Sequence, residues 1–377
     1  MKLKKTLLAL AITAVSSTAA LADIKVGVSL ALTGPGSGLG IPMQKQLQLF
    51  PKSIGGEKVE LIILDDASDP GKAAANARRF VTEDKVDVIF GSCLTPTSSA
   101  ITPIAFDAKT AQVSGAPIAP QGEKEMIVFR LPQGFNVMSH AVVQHMKKNG
   151  VKTVGFLGYA DGYGQGWLAN MGPMLEKEGM KMVGAERFAR TDTSVTPQAL
   201  KLTAANPDAI LVVASGSGAA MPQLALADRG YKGKIYQTHA AATPDLMRIG
   251  GKTVEGTYVV SGPALLGDQL ADSHPSKKQA LNFVANFEKL HGANTRNQFA
   301  GHSYDFQVAM EKVIPMALKK AKPGTAEFRT AIRDSLETMG RTVFAHGVMN
   351  WTAKDHEGYT LETGVMTQVV DGKFKVQ

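Results

Sequence analysis

The chain has 377 residues, a formal net charge of +8 and a single cysteine, Cys93. That length exceeds what one hydrophobic core usually serves and suggests two domains. The lone cysteine excludes an intramolecular disulfide and a cysteine-based zinc site, and the mild basic excess, without a dense basic run, gives no reason to expect nucleic acid as a partner.

The first residues read as an export signal. Lys2, Lys4 and Lys5 precede an apolar stretch at 6–15, and Ala20-Leu21-Ala22 has the small-residue pattern of a cleavage site. The apolar stretch is too short to span a bilayer. Residues 1–22 are therefore expected to be a signal peptide cleaved after Ala22, leaving a protein of the periplasm.

Residues 24–30 (IKVGVSL) read as a strand, 33–40 (TGPGSGLG) as a glycine-rich loop and 43–50 as a weak helix. A second buried strand is expected at 59–64. A helix should follow over 69–83, with Asp69 as its cap and Pro70 at its first position. Residues 86–90 (VDVIF) read as a third strand, leading into the hydroxyl-rich stretch 91–100 (GSCLTPTSSA). There Thr95 is expected to cap a helix whose start would receive an anion at the carboxyl end of a strand. A short strand at 112–114 closes the series.

A second series begins after 128–131. Helices are expected at 136–148, 167–178, 197–204 and 221–229, alternating with strands at 153–157, 181–186, 209–213, 234–237 and 257–260. The alternation argues for parallel sheets covered by helices on both faces. Three helices without intervening strands follow, at 276–291, 302–319 and 325–339. Strand character returns at 347–349, 364–370 and 373–376.

Enzyme signatures fail in turn. The loop 34–40 does not fit G-x-G-x-x-G, no G-x-S-x-G elbow or Walker A motif exists, and no H-E-x-x-H is present. His302, His346 and His356 are scattered in sequence, and neither a metal nor a cofactor is expected. Cys93, directly after a strand, reads as a small buried residue. What remains is a set of polar or glycine-rich loops at strand ends: 33–40, 91–99, 114–120, 158–166, 214–218 and 237–242. Two sheets facing each other across a cleft would bring these loops together as a site that binds without reacting.

The segments IKVGVSLALTGPGSGLG, LDDASDPGKAAANARRFV, GSCLTPTSSA and DGYGQGW resemble those of periplasmic solute-binding proteins of the branched-chain amino-acid (Leu/Ile/Val-binding) type, which serve ABC importers. The resemblance implies an α/β fold of two Rossmann-like lobes with parallel sheets, joined by a three-crossing hinge (type I periplasmic binding protein). Residues 23–139 and 263–341 would form the first lobe, and 140–262 and 342–377 the second. It implies a ligand carboxylate held by Thr95, Ala116 and Ile118. Tyr163 would face it from the second lobe, with Leu39 and Phe299 packed against the ligand.

The second-lobe loops 214–218 and 238–241 contain no acid to receive an ammonium, and a buried ammonium without an anionic partner is costly. The expected ligand is therefore a small aromatic or aliphatic organic acid, with Ser217 and His239 meeting a hydroxyl, carbonyl or second carboxylate. The expected partners are a permease and an ATPase, and the protein is expected to be a monomer and not an enzyme. The alternatives are a branched-chain or related amino acid as ligand, or a ligand-sensing lobe for a membrane receptor.

Overall fold

A computed structural model describes residues 23–377; the expected signal peptide lies outside the described residues. The first half runs β1 (Ile24–Leu30), α1 (Ser37–Leu47), β2 (Ser53–Ile54), β3 (Glu57–Asp65), α2 (Pro70–Arg79), β4 (Val88–Gly91), α3 (Thr95–Asp107), β5 (Gln112–Ser114) and β6 (Val128–Arg130). These strands form one six-stranded sheet in the order β2-β3-β1-β4-β5-β6, parallel except for the short β2–β3 pair.

The second series comprises α4 (Phe135–Lys148), β7 (Thr153–Tyr159), α5 (Gly162–Lys177), β8 (Lys181–Phe188), α6 (Thr196–Ala205) and β9 (Ala209–Val213). It continues through α7 (Ala220–Ala227), β10 (Lys234–Gln237), α8 (Pro244–Gly250) and β11 (Tyr258–Ser261). Helices α9 (Lys277–His291), α10 (Gln298–Leu318) and α11 (Ala326–Thr338) follow, then β12 (Thr342–Phe344), β13 (Gly347–Met349), β14 (Val365–Val370) and β15 (Lys373–Val376). The second sheet has the order β15-β14-β11-β10-β9-β7-β8, with β14 and β15 antiparallel to a parallel core. The architecture is thus two α/β lobes with mostly parallel sheets.

The helices without strands return to the first sheet. Phe306 of α10 stacks on Phe90 of β4 at 4.2 Å and on Phe50 at 5.7 Å, all three rings buried. Burial of one such aromatic contributes roughly 1.5–3 kcal/mol, so this stack anchors α10 where the sequence alone offers it no strand partner.

The chain passes between the sheets before α4, after β11 and before β14. The division at 139/140 falls inside α4, which packs along its length on α5, β11 and β14; the passage lies at 131–134. The hairpin β12–β13 and the segment after it stay with the first sheet. Arg130 N donates to His356 O (3.0 Å), and Phe129 packs on Trp351 and, at 4.0 Å, on His356. Only β14 and β15 rejoin the second sheet. The hairpin turn Ala345-His346 lies between the passages: Gln133 Nε2 donates to His346 O at 2.9 Å, and a Cβ added at Gly262 would meet Gln133 and His346.

Several helices start earlier than expected, among them three at the cleft whose first turns hold glycine or hydroxyl residues. Helix α1 begins at Ser37 within the expected loop because Gly40 presses on β1: a Cβ there would sit 2.1 Å from Ala31 O. Helix α5 begins at Gly162, capped by Asp161, whose Oδ1 accepts from Tyr163 N and Gly164 N. Helix α3 begins at Thr95, with Leu94 at the cap position, so Thr95 is the first helical residue and not the cap. Glycine and hydroxyl residues, which read as loop locally, here serve close helix–strand packing.

Candidate functional site

The loops at the carboxyl ends of both sheets meet around a narrow cavity. Leu39, Cys93, Leu94, Thr95, Ala116, Pro117 and Phe299 line it from the first lobe; Tyr163, Arg190, Ser215, His239 and Ala240 line it from the second. The lobes touch across it. A Cβ added at Gly216 would lie 2.8 Å from Leu39 Cδ1, and one at Gly162 would lie 3.4 Å from Thr95 Cγ2.

Of the residues singled out in sequence, Thr95, Ala116, Tyr163, His239, Leu39 and Phe299 line this cavity together. Ile118 and Ser217 do not. Ile118 is buried in the first lobe, and its carbonyl accepts from Arg130 Nε at 2.7 Å. Ser217 is exposed on the turn after β9, because that turn aims Ser215, two residues earlier, into the cavity.

Much of the expected polar equipment is engaged within the protein. Thr95 Oγ1 donates to Pro117 O at 2.8 Å and so ties α3 to the facing loop. Ala116 N donates to Ser114 Oγ at 3.1 Å, and Ala116 O accepts from the same hydroxyl at 2.7 Å. Tyr163 Oη donates to Thr238 Oγ1 at 2.8 Å, which leaves its ring as a wall of the cavity. The start of α3 contributes backbone N–H groups without intrahelical partners, although Pro96 supplies none.

Sequence reasoning missed Arg190. Its Nε donates to Asp161 Oδ2 at 2.5 Å and its Nη1 to Ser215 Oγ at 2.9 Å, while the guanidinium lies 4.0 Å from the centroid of the Tyr159 ring. A guanidinium has five N–H donors, so donors remain after these bonds. Asp161, the partner acid, accepts from Tyr163 N, Gly164 N and Arg190. Among the described residues, no aspartate or glutamate lines the cavity.

His239 is buried, and its Nδ1 has no hydrogen-bond partner among the described residues. Burial, with a smaller contribution from the charge of His346, pushes its pKa down to about 3, so the ring is neutral at ordinary pH. Its ring faces Trp167 at 6.2 Å and Tyr163 at 6.0 Å. Cys93 is buried, as expected, and burial pushes its thiol up to about 12, which keeps it protonated. His302 and His346, scattered in sequence, come together in space, with rings stacked at 4.1 Å.

A model described as periplasmic binding protein matches residues 23–373, nearly all of the described chain. The chain belongs to this periplasmic binding protein family. It is similar, at 46% identity and a TM-score of 0.92, to a solved extracellular ligand-binding receptor from Rhodopseudomonas palustris, over 94% of this chain and 99% of that one. An "amino acid binding protein" of Pseudomonas aeruginosa is 25% identical over 284 residues, 70% of this chain and 75% of that protein. A solute-binding protein of an ABC transporter from R. palustris, solved with benzoate, shares the fold at a TM-score of 0.79 and 17% identity, covering 94% of this chain and 95% of that one. Members of the family are solute-binding proteins, and the cleft between the lobes of this periplasmic binding protein has the form of such a site.

Proposed function

We propose that this protein captures a small organic carboxylate between its lobes in the periplasm and delivers it to the permease and ATPase of an ABC importer. The observation that carries the reading is the charge of the cleft. Among the described residues Arg190 is the one charged group of the lining, and the acid beside it, Asp161, is engaged by that guanidinium and by Tyr163 N and Gly164 N. A ligand carboxylate gains charge-assisted hydrogen bonds there, whereas a ligand ammonium would meet a guanidinium and no anion. The apolar walls of the cleft, Leu39, Leu94 and Phe299, suit the apolar part of an aromatic or aliphatic acid.

The relative named as an amino acid binding protein supports a second reading, with a branched-chain or related amino acid as ligand. The guanidinium of Arg190 in the lining speaks against it, because a ligand ammonium would be held beside a like charge. The fold does not choose between the two, since a benzoate-binding protein shares it.

Calorimetry and thermal shift on residues 23–377, with aromatic acids, aliphatic acids, leucine and valine, test the proposal. Ligands that bind only the native state raise its melting temperature. Stabilisation by simple acids is expected. Response to leucine or valine with none to any acid would establish the second reading instead.

A further inference from the structure

Beneath the cleft, at the junction of α10 with the β12–β13 turn, His302, Asp305 and His346 converge. All three are fully buried. One nitrogen from each imidazole and one carboxylate oxygen lie within 4.8 Å of one another. His302 and Asp305 are three residues apart and share a face of α10; His346 enters from the hairpin.

The polar atoms here are incompletely satisfied. His302 Nδ1 and Nε2 both lack a partner among the described residues, as does His346 Nε2. A neutral imidazole carries one N–H and one lone pair, so His302 leaves a donor and an acceptor unmatched in the interior. Such groups are rare and point to a missing partner. Asp305 Oδ2 accepts from His346 Nδ1 at 2.7 Å and from His346 N at 3.3 Å, and Oδ1 accepts from Ala345 N at 2.7 Å.

We propose that His302, Asp305 and His346 form a binding site for one divalent transition-metal ion of the Zn²⁺ or Co²⁺ type. Two imidazoles and one carboxylate are a donor set for such ions. With metal–ligand bonds of roughly 2.0–2.2 Å, neighbouring tetrahedral ligands stand about 3.4 Å apart, so the His346 Nδ1–Asp305 Oδ2 pair, now at 2.7 Å, has to open by less than about 1 Å. Coordination exchanges that hydrogen bond for two bonds to the metal, with His346 ligating through Nδ1 as the neutral ring that carries its proton on Nε2. The stacked His302 ring tilts away from His346 so that one of its unpartnered nitrogens completes the set, with water in the remaining position. Burial already holds His302 in its neutral form, the form that ligates. The ion would fasten the hairpin turn to α10, and that turn lies against the passages between the lobes at Gln133 and Gly262. Phe299, one turn before His302 on α10, separates the site from the cleft. Entry is therefore expected to accompany lobe opening.

The test uses residues 23–377 without a histidine tag, stripped with chelator and incubated for hours with Co²⁺ in a non-chelating buffer. One Co²⁺ per chain, visible ligand-field bands and a melting temperature raised by Zn²⁺ are expected. His302→Leu, whose fold is checked by circular dichroism, should weaken binding at least tenfold and abolish the Zn²⁺ shift; His356→Ala, remote from the cluster, should retain both. Absence of bands and of a thermal shift in the parent protein at millimolar metal overturns the proposal. So does equal binding by folded His302→Leu.

Discussion

The guanidinium of Arg190 lies over the ring of Tyr159, 4.0 Å from its centroid, and is clamped edge-on by Asp161. The two contacts hold a cation at the cleft wall without closing off its remaining donors. Arg190→Met should therefore lower carboxylate affinity by about 1.5–3 kcal/mol, the range for hydrogen bonds to charged groups, or roughly 10- to 150-fold. Arg190→Lys should recover only part of it, because an ammonium cannot make the planar contact and the fork together. Calorimetry with the best acid ligand checks both variants.

Thr95 acts through Pro117. Its hydroxyl donates to that carbonyl, so Thr95→Val leaves a buried acceptor unpaired and frees the facing loop from α3. A loss of about 1–3 kcal/mol is expected, read as a lower melting temperature and a higher Kd, while Thr95→Ser should stay close to the parent. Equal behaviour of Val and Ser variants would remove the hydroxyl from the account.

Protonation of His239 opposes closure. Its pKa is pushed down to about 3 in the closed cleft, against about 6.5 when solvated. The closed form excludes a proton that the open or unfolded form accepts below pH 6.5. Its contribution is fully present above that value and is lost as pH falls toward 3. Ligand affinity should be flat near pH 7–8 and fall by up to about tenfold per unit below 6.5. The slope should flatten in His239→Leu, measured by titration across pH 5–8.

Gly216 has φ +52°, and a Cβ there would lie 2.8 Å from Leu39 Cδ1 of the opposite lobe. Gly216→Ala should therefore obstruct closure. Small-angle scattering is expected to show ligand-induced compaction in the parent and little or none in the variant.

Several strands were legible because short runs rich in apolar and β-branched residues lie between turn-forming ones. The strands β1, β5, β9, β10, β13 and β15 have the bounds their residues suggest. The helix starts at Ser37 and Gly162 were not, since glycine-rich segments read locally as loop, while the start of α3 fell within one residue of the expected cap at Thr95. Arg190 sits in an exposed-looking Arg-Thr-Asp turn. Its role depends on Asp161, 29 residues away, and on Tyr159. His302 and Asp305 share a helical face that periodicity reveals, but His346 arrives 41 residues after Asp305, from a hairpin whose first strand was unforeseen. Local pattern finds elements; it does not find partners that only the topology brings together.

Cys93, the only thiol in the chain, is buried at the wall of the closed cavity. The protein thereby carries its own gauge of breathing. A thiol-reactive dye can attach only during excursions that expose this wall, so the labelling rate counts those excursions without any engineered probe. Saturating solute should slow the clock, and comparing rates across candidate solutes would rank them by how firmly each keeps the jaws shut.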